Sequence, residues 1–200
     1  MSNESMFRIA FWVLFGGMIA MQIYFASRVH QAGERVTAGR SAVEREGWGY
    51  VVARITATLA LLAFLVLYAI NPPWLGVLAL RFPAWARSIG IALAFASFIL
   101  YGWAQATLGR AWSPHLQMRD QHVLVTTGPY ARMRHPMYAA YIVFMSGIML
   151  VTANWFFVGL LVLSLAIFAV RIPKEEQMLL EVFEDQYRTY MQKTGSLFPK

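Results

Sequence analysis

Apolar residues run along this chain in long blocks separated by charged stretches, and that alternation predicts helices laid across a membrane. A spanning helix needs roughly 20 apolar residues. Residues 9–25 (IAFWVLFGGMIAMQIYF) form the first such block. It ends in MQIYFASR without a small-x-small cleavage site, so it reads as a retained helix rather than a removed leader. Residues 28–48 are polar and arginine-rich, a loop. Residues 51–70 form the second block, interrupted by Arg54, which can snorkel to the interface. Asn71-Pro72-Pro73 stops it. A mixed connector with Arg81, Pro83 and Arg87 leads into the third block, 88–106.

The second half is patterned differently. Residues 107–135 are a long polar loop. Blocks 137–152 and 155–170 then follow with only Ala153-Asn154 between them, which predicts a tight helical hairpin. Each arm is short for a span, so tilt or local thinning of the bilayer is expected. Beyond Pro173 the chain turns polar but keeps a helical rhythm over 173–193. Met178/Leu179, Val182/Phe183, Tyr187 and Tyr190/Met191 recur every three to four residues. This predicts an amphipathic helix restarted at Pro173. The fold class expected is therefore an all-α integral membrane protein, one domain of five transmembrane helices with a loop at 107–135 and an amphipathic helix at 173–193. No strand–GxGxxG–helix unit of a Rossmann domain occurs.

Composition agrees. Hydrophobic residues make up 58% and charged residues 14% of the 200, against about a quarter charged in a soluble domain. The net charge of +7 fits arginines at cytoplasmic loops better than a nucleic-acid partner. Five spans with an inside C-terminus put Arg28, Arg35, Arg40, Arg45, Arg110, Arg119, Arg132, Arg134, Arg171, Lys174, Arg188, Lys193 and Lys200 on one side. Only Arg8, Arg81 and Arg87 fall on the other. The positive-inside rule makes the richer side cytoplasmic. It brings the 107–135 loop and the tail helix to the same face. The chain has no cysteine, which removes disulfides, thiolate metal sites and cysteine nucleophiles. His115, His122 and His135 are irregularly spaced with no acidic residue at helical spacing beside them, so no metal site is expected.

Candidate chemistry lies in two segments. In HVLVTTGPYARMRHPMY an extended run meets a Gly128-Pro129 turn, and Pro136 suits the first turn of a helix. Arg132 and Arg134 there read as anchors at phospholipid headgroups. In RIPKEEQMLL, Glu175 and Glu176 sit in the first turn of the tail helix, where the helix dipole favours carboxylates. Arg171 ends a span, where a charge is costly without a partner or an anionic ligand.

Together, LGRAWS…HVLVTTGPYARMRHPMY, the hairpin and RIPKEEQMLLEVFEDQYRTYMQKTG closely resemble the isoprenylcysteine carboxyl methyltransferase family, most strongly over residues 108–200 and especially its short five-helix prokaryotic members. The motif order is shared with membrane phospholipid N-methyltransferases and, more loosely, with sterol reductases. The resemblance implies a helical membrane bundle that uses S-adenosylmethionine (SAM) to methylate a lipophilic substrate drawn from the membrane lipid, an isoprenylcysteine-type carboxylate. It implies cofactor contacts from His122, Val123, Leu124, Val125, Tyr130, His135, Pro136, Met137, Tyr138 and Glu175, with Gln117 as the best candidate for an upstream polar contact. It implies that Arg171 binds the substrate carboxylate, so that Arg171 and Glu175 carry the catalytic roles. Where the family has Phe-Gly this chain has Phe183-Glu184, a departure expected to touch only a surface turn. The alternatives are N-methylation of a phospholipid headgroup, which needs a base, an NADPH-dependent lipid reductase using Arg132 and Arg134 for phosphate, and a scaffold without catalysis.

Overall fold

A computed structural model describes residues 3–31, 48–109 and 123–200 of the protein. Those residues are helical apart from turns and isolated bridges. Helix α1 spans Asn3–Gln31, α2 Trp48–Ile70, α3 Ala84–Leu108, α4 Pro136–Thr152 and α5 Trp155–Lys193. Short 3-10 turns at Pro73–Leu78 and Gly128–Ala131 join them. Among these, α1, α2, α3 and α5 have the length and composition to cross a membrane, and α4 is a shorter apolar helix of 17 residues.

The ends of the helices follow from local chemistry. Asn71 closes α2 in the left-handed region (φ 55°), its N–H bonding the Leu67 carbonyl at 2.8 Å, and two prolines then bar continuation. Ala153 turns the α4–α5 hairpin in the same region (φ 47°, ψ 55°). The Asn154 side chain accepts from Phe156 N at 2.9 Å, capping α5. The 73–80 connector is tied to that hairpin through Leu80 N to Ala153 O at 2.6 Å.

Packing rests on close helix approach and interlocked rings, as expected where lipid removes the usual hydrophobic drive between helices. Helices α3 and α4 touch backbone to backbone. A Cβ added to Gly147 would lie 2.6 Å from the Gly90 carbonyl, and one on Gly90 would lie 2.7 Å from the Gly147 carbonyl. Phe11, Ala94, Ile148, Val151 and Phe157 fill the centre of the bundle. Helix α2 joins through Phe64, which stacks on Phe156 with centroids 3.7 Å apart.

One expectation is overturned. Pro173 does not restart a helix: the helix begun at Trp155 runs on through Pro173 and is interrupted at Glu184, before a last helical stretch to Lys193. The missing N–H costs one bond to the Ala169 carbonyl, a loss that helices of this kind tolerate when neighbours hold them. The distortion falls instead at Glu184, whose backbone (φ 44°, ψ −120°) is not helical. That conformation suits glycine. The Glu184 departure is therefore a backbone matter as well as a surface one.

Candidate functional site

The start of α4, the turn before it and the middle of α5 meet at one end of the bundle. They do so through two linked sets of polar side chains. In the first, Tyr138 accepts a hydrogen bond from Arg171 Nε at 2.7 Å and donates one to Glu175 Oε2 at 2.8 Å. Arg171 is 9% exposed. The span therefore ends on a buried guanidinium held by a phenol, as the cost of a lone charge requires. In the second, Arg134 Nε donates to Glu176 Oε1 at 2.8 Å, and His135 Nε2 lies 3.1 Å from the same oxygen.

Consecutive residues on a helix point about 100° apart. This lets Glu175 face α4 while Glu176 faces the turn at 132–135. The hydrogen bond from His135, reinforced by Arg134, holds the Glu176 carboxyl below its usual range against the opposing effect of burial. Tyr130 is buried, and its carbonyl accepts from Tyr190 Oη at 2.6 Å. Burial pushes the Tyr190 phenol up to about 12. Tyr187 is 1% exposed and its hydroxyl has no hydrogen-bond partner among the described residues. Burial and the nearby Glu176 raise its pKa further still. A buried unpaired hydroxyl is costly, and Tyr68 at the other end of the bundle carries one as well.

The turn at 128–131 is fixed by shape. Gly128 (φ 57°) approaches α3 so closely that a Cβ would lie 2.7 Å from Thr107 Oγ1 and 3.2 Å from Trp103 Nε1. Pro136 starts α4, and His135 stands at its N-cap position.

Of the residues expected at a site, the structure gathers Tyr130, His135, Pro136, Tyr138, Arg171 and Glu175 around this end. Met137 is half-buried and packs against the bundle core. Val123 is exposed, and Leu124 and Val125 are half-buried in the strandless run before the turn, with no described hydrogen bond to the cluster. Gln117 and His122 lie outside the described residues. Two participants, Arg134 and Tyr187, take roles not expected from the sequence, and of the candidate pair Glu175 and Glu176 both are engaged. Arg134 points inward, its side chain 11% exposed, rather than to headgroups. Tyr187, read as part of an apolar stripe, carries an unpartnered hydroxyl. A cue for Arg134 was its place directly before His-Pro, which ties its direction to the start of α4.

Beside this cluster lies an apolar cleft between helices, lined by Phe15, Leu61, Tyr141, Met145, Leu163 and Ile167 among others. Phe168 joins the two. Its ring packs 4.7 Å from Tyr138 and 5.9 Å from Tyr141. No group of three or more metal-ligating side chains occurs among the described residues.

Comparison with known proteins follows this geometry. Residues 89–181 match the model of the "Isoprenylcysteine carboxyl methyltransferase (ICMT) family". A 118-residue stretch is 32% identical to "Protein-S-isoprenylcysteine O-methyltransferase B" of Arabidopsis thaliana and covers 58% of this chain and 60% of that one. A 111-residue stretch is 30% identical to "Nickel-cobalt-cadmium resistance protein NccN" of Alcaligenes xylosoxydans xylosoxydans, covering 55% and 52%. The chain thus spans about three fifths or less of these relatives. The fold matches a solved eukaryotic intramembrane Ras methyltransferase ICMT with a TM-score of 0.59, at 24% identity, over 95% of this chain and 67% of that one.

Proposed function

We propose that this multi-pass membrane protein, whose residues 89–181 match the isoprenylcysteine carboxyl methyltransferase family, belongs to that family and methylates the carboxylate of a lipophilic, isoprenylcysteine-type substrate using SAM. The observation that carries the proposal is the line Arg171–Tyr138–Glu175, with Tyr138 packed on Phe168 and Phe168 on Tyr141 of the apolar cleft. It sets a cation for a carboxylate and an anion for a cationic donor beside an apolar space suited to a greasy chain.

The residues fit SAM on chemical grounds. Glu175 is an anion near Tyr138 and Phe168, whose ring faces attract a sulfonium. The His135 ring, 3.1 Å from Glu176, and the buried Tyr187 hydroxyl would add polar groups at the same end of the bundle. SAM when bound supplies an electrophilic methyl group on a positively charged sulfur.

The acceptor carboxylate is already ionised at neutral pH, so no general base is needed. Arg171 offers a planar fork that can hold the carboxylate in two bonds. Tyr138 fixes the plane of that fork by accepting from Nε. The buried position of Arg171 keeps water away and strengthens its pull on the carboxylate. Transfer from SAM would form a C–O bond and break the C–S bond, discharging carboxylate and sulfonium together. Arg171 would hold the carboxylate and Glu175 would lie on the sulfonium's side of Tyr138. The cleft holds the apolar tail, so the acceptor reaches Arg171 within the bilayer. The arginine distribution puts the site on the cytoplasmic face.

Calorimetry in detergent tests the reading. S-adenosylhomocysteine should release or absorb heat on binding, and NADPH should not. Arg171→Lys should retain that binding and lose about a hundredfold or more in transfer to a prenylcysteine analogue, since one ammonium cannot replace the fork. Glu175→Gln should weaken SAM binding about tenfold or more and S-adenosylhomocysteine binding less, since the latter carries no positive charge on sulfur. Folded protein that binds NADPH and ignores S-adenosylhomocysteine would overturn the proposal.

A further inference from the structure

The segment after α5 does not trail away. It returns to the turn before α4 and pairs with it along the backbone. Arg134 N donates to Gly195 O at 2.8 Å, His135 N to Ser196 O at 3.0 Å, Gly195 N to Arg132 O at 3.1 Å and Lys200 N to Arg132 O at 3.2 Å. The His135 side chain caps nothing on α4, so the strap is what satisfies its backbone N–H.

Arg134 latches this strap with one side chain and two kinds of bond. Its Nη1 donates to Thr194 O at 2.6 Å and Met191 O at 3.3 Å, while its Nε holds Glu176 at 2.8 Å. The first two acceptors are carbonyls at the C-terminal end of α5, which the helix itself leaves unpaired and partially negative. A guanidinium can serve both partners because its donors are spread over a rigid plane. Thr194 Oγ1 adds a bond back to Tyr190 O at 2.7 Å, and Tyr190 in turn reaches the Tyr130 carbonyl. Gly195 makes the turn possible: a Cβ there would lie 1.9 Å from the Phe198 carbonyl.

We infer that the strap 194–200, latched by Arg134, is a positioning element for the cofactor site, fixing His135 through its backbone and Glu176 through the shared guanidinium. The inference rests on the SAM reading of that site. Arg134 is a positioning residue here: it acts through His135 and Glu176. Loss of the latch frees both at once, because each is held partly by Arg134 or by its immediate neighbour in the strap.

Titration calorimetry with S-adenosylhomocysteine separates positioning from simple stability. Partial misfolding lowers the fitted stoichiometry and leaves Kd alone. Lost positioning raises Kd while the folded fraction still binds one for one. Arg134→Ala and Gly195→Val should each raise Kd about tenfold or more at unchanged stoichiometry. The double variant should be little worse than the worse single one, since both break one device. Arg134→Lys should recover part of the loss through Glu176. Two variants with wild-type Kd would overturn the inference and leave the SAM reading intact. So would a drop in stoichiometry alone. A wild-type protein that gives no heat would overturn both.

Discussion

Both ends of the bundle hold arginines and glutamates, yet the two clusters are built to opposite plans. At the far end, about 22 Å along α4 from the site, Arg87 donates to the Val151 carbonyl at 2.9 Å, pairs with Glu4 at 2.6 Å and covers the Phe7 ring at 4.1 Å. Arg8 lies over Tyr68 at 4.4 Å and bonds Asn71 and the Tyr68 carbonyl. There the cations are spent on backbone carbonyls and rings, while the carboxylate side chain is 59% exposed. At the near end the carboxylates are drawn inward. They meet a phenol, an imidazole and guanidinium groups, while each end buries one tyrosine hydroxyl that has no partner among the described residues, Tyr68 at the far end and Tyr187 at the near one. The far cluster ties α1, α2, α3 and α4 together. The near cluster instead takes its carboxylates inside and ties the turn before α4 to the middle of α5.

The largest effect that could break this contrast is on stability. Arg87→Ala should cost about 3 kcal/mol, because it strands the Val151 carbonyl and empties a buried volume. Thermal unfolding followed by circular dichroism measures it, and the Kd for S-adenosylhomocysteine of the remaining folded protein should not move. Coupling between the two ends would appear as a changed Kd. Tyr187→Phe comes next and should act with opposite signs. Removing an unpaired buried hydroxyl leaves stability equal or raises it by about 1 kcal/mol, while ligand affinity falls about tenfold. A hydroxyl with only a structural role would lose stability and keep affinity.

Glu184→Gly should stabilise by about 1 kcal/mol, since glycine adopts φ 44° without the strain a side chain meets. Urea midpoints of the two proteins give the comparison. The smallest effect is one of pH. Glu176 has a folded pKa below its ordinary 4.5. Its stabilising contribution is therefore fully present above about 4.5 and is lost as pH falls through the lower folded value. Glu176→Gln should match the wild-type pH profile of melting temperature in shape at neutral pH and lose part of the slope below about 4.5.

How much of this was readable in the sequence depended on the kind of signal. The spans, the hairpin turn and the gathering of the 128–138 and 171–176 segments follow from hydrophobic runs, prolines and charge placement, which act over neighbouring residues. Bonds to backbone carbonyls leave no such periodic mark. Arg134 and Arg87 bind carbonyls 57 to 64 positions away in the chain, so one was assigned to headgroups and the other merely counted as an outside charge. Pro173 misled for a related reason. Its effect on the helix is local, and whether the helix survives is decided by packing and by the bonds of Arg171 and Glu175 on either side.

The part of α5 before Glu184 also acts as a ruler. Trp155 is exposed at its start, as a ring seated at a membrane boundary would be. From there to Arg171 the helix climbs about 24 Å at 1.5 Å per residue, with no joint between. The height of the guanidinium above one boundary is thus written into the number of residues in the span. Adding or removing one residue shifts Arg171 by about 1.5 Å and turns it by about 100°. In this protein the length of a membrane helix is a dimension of the candidate site.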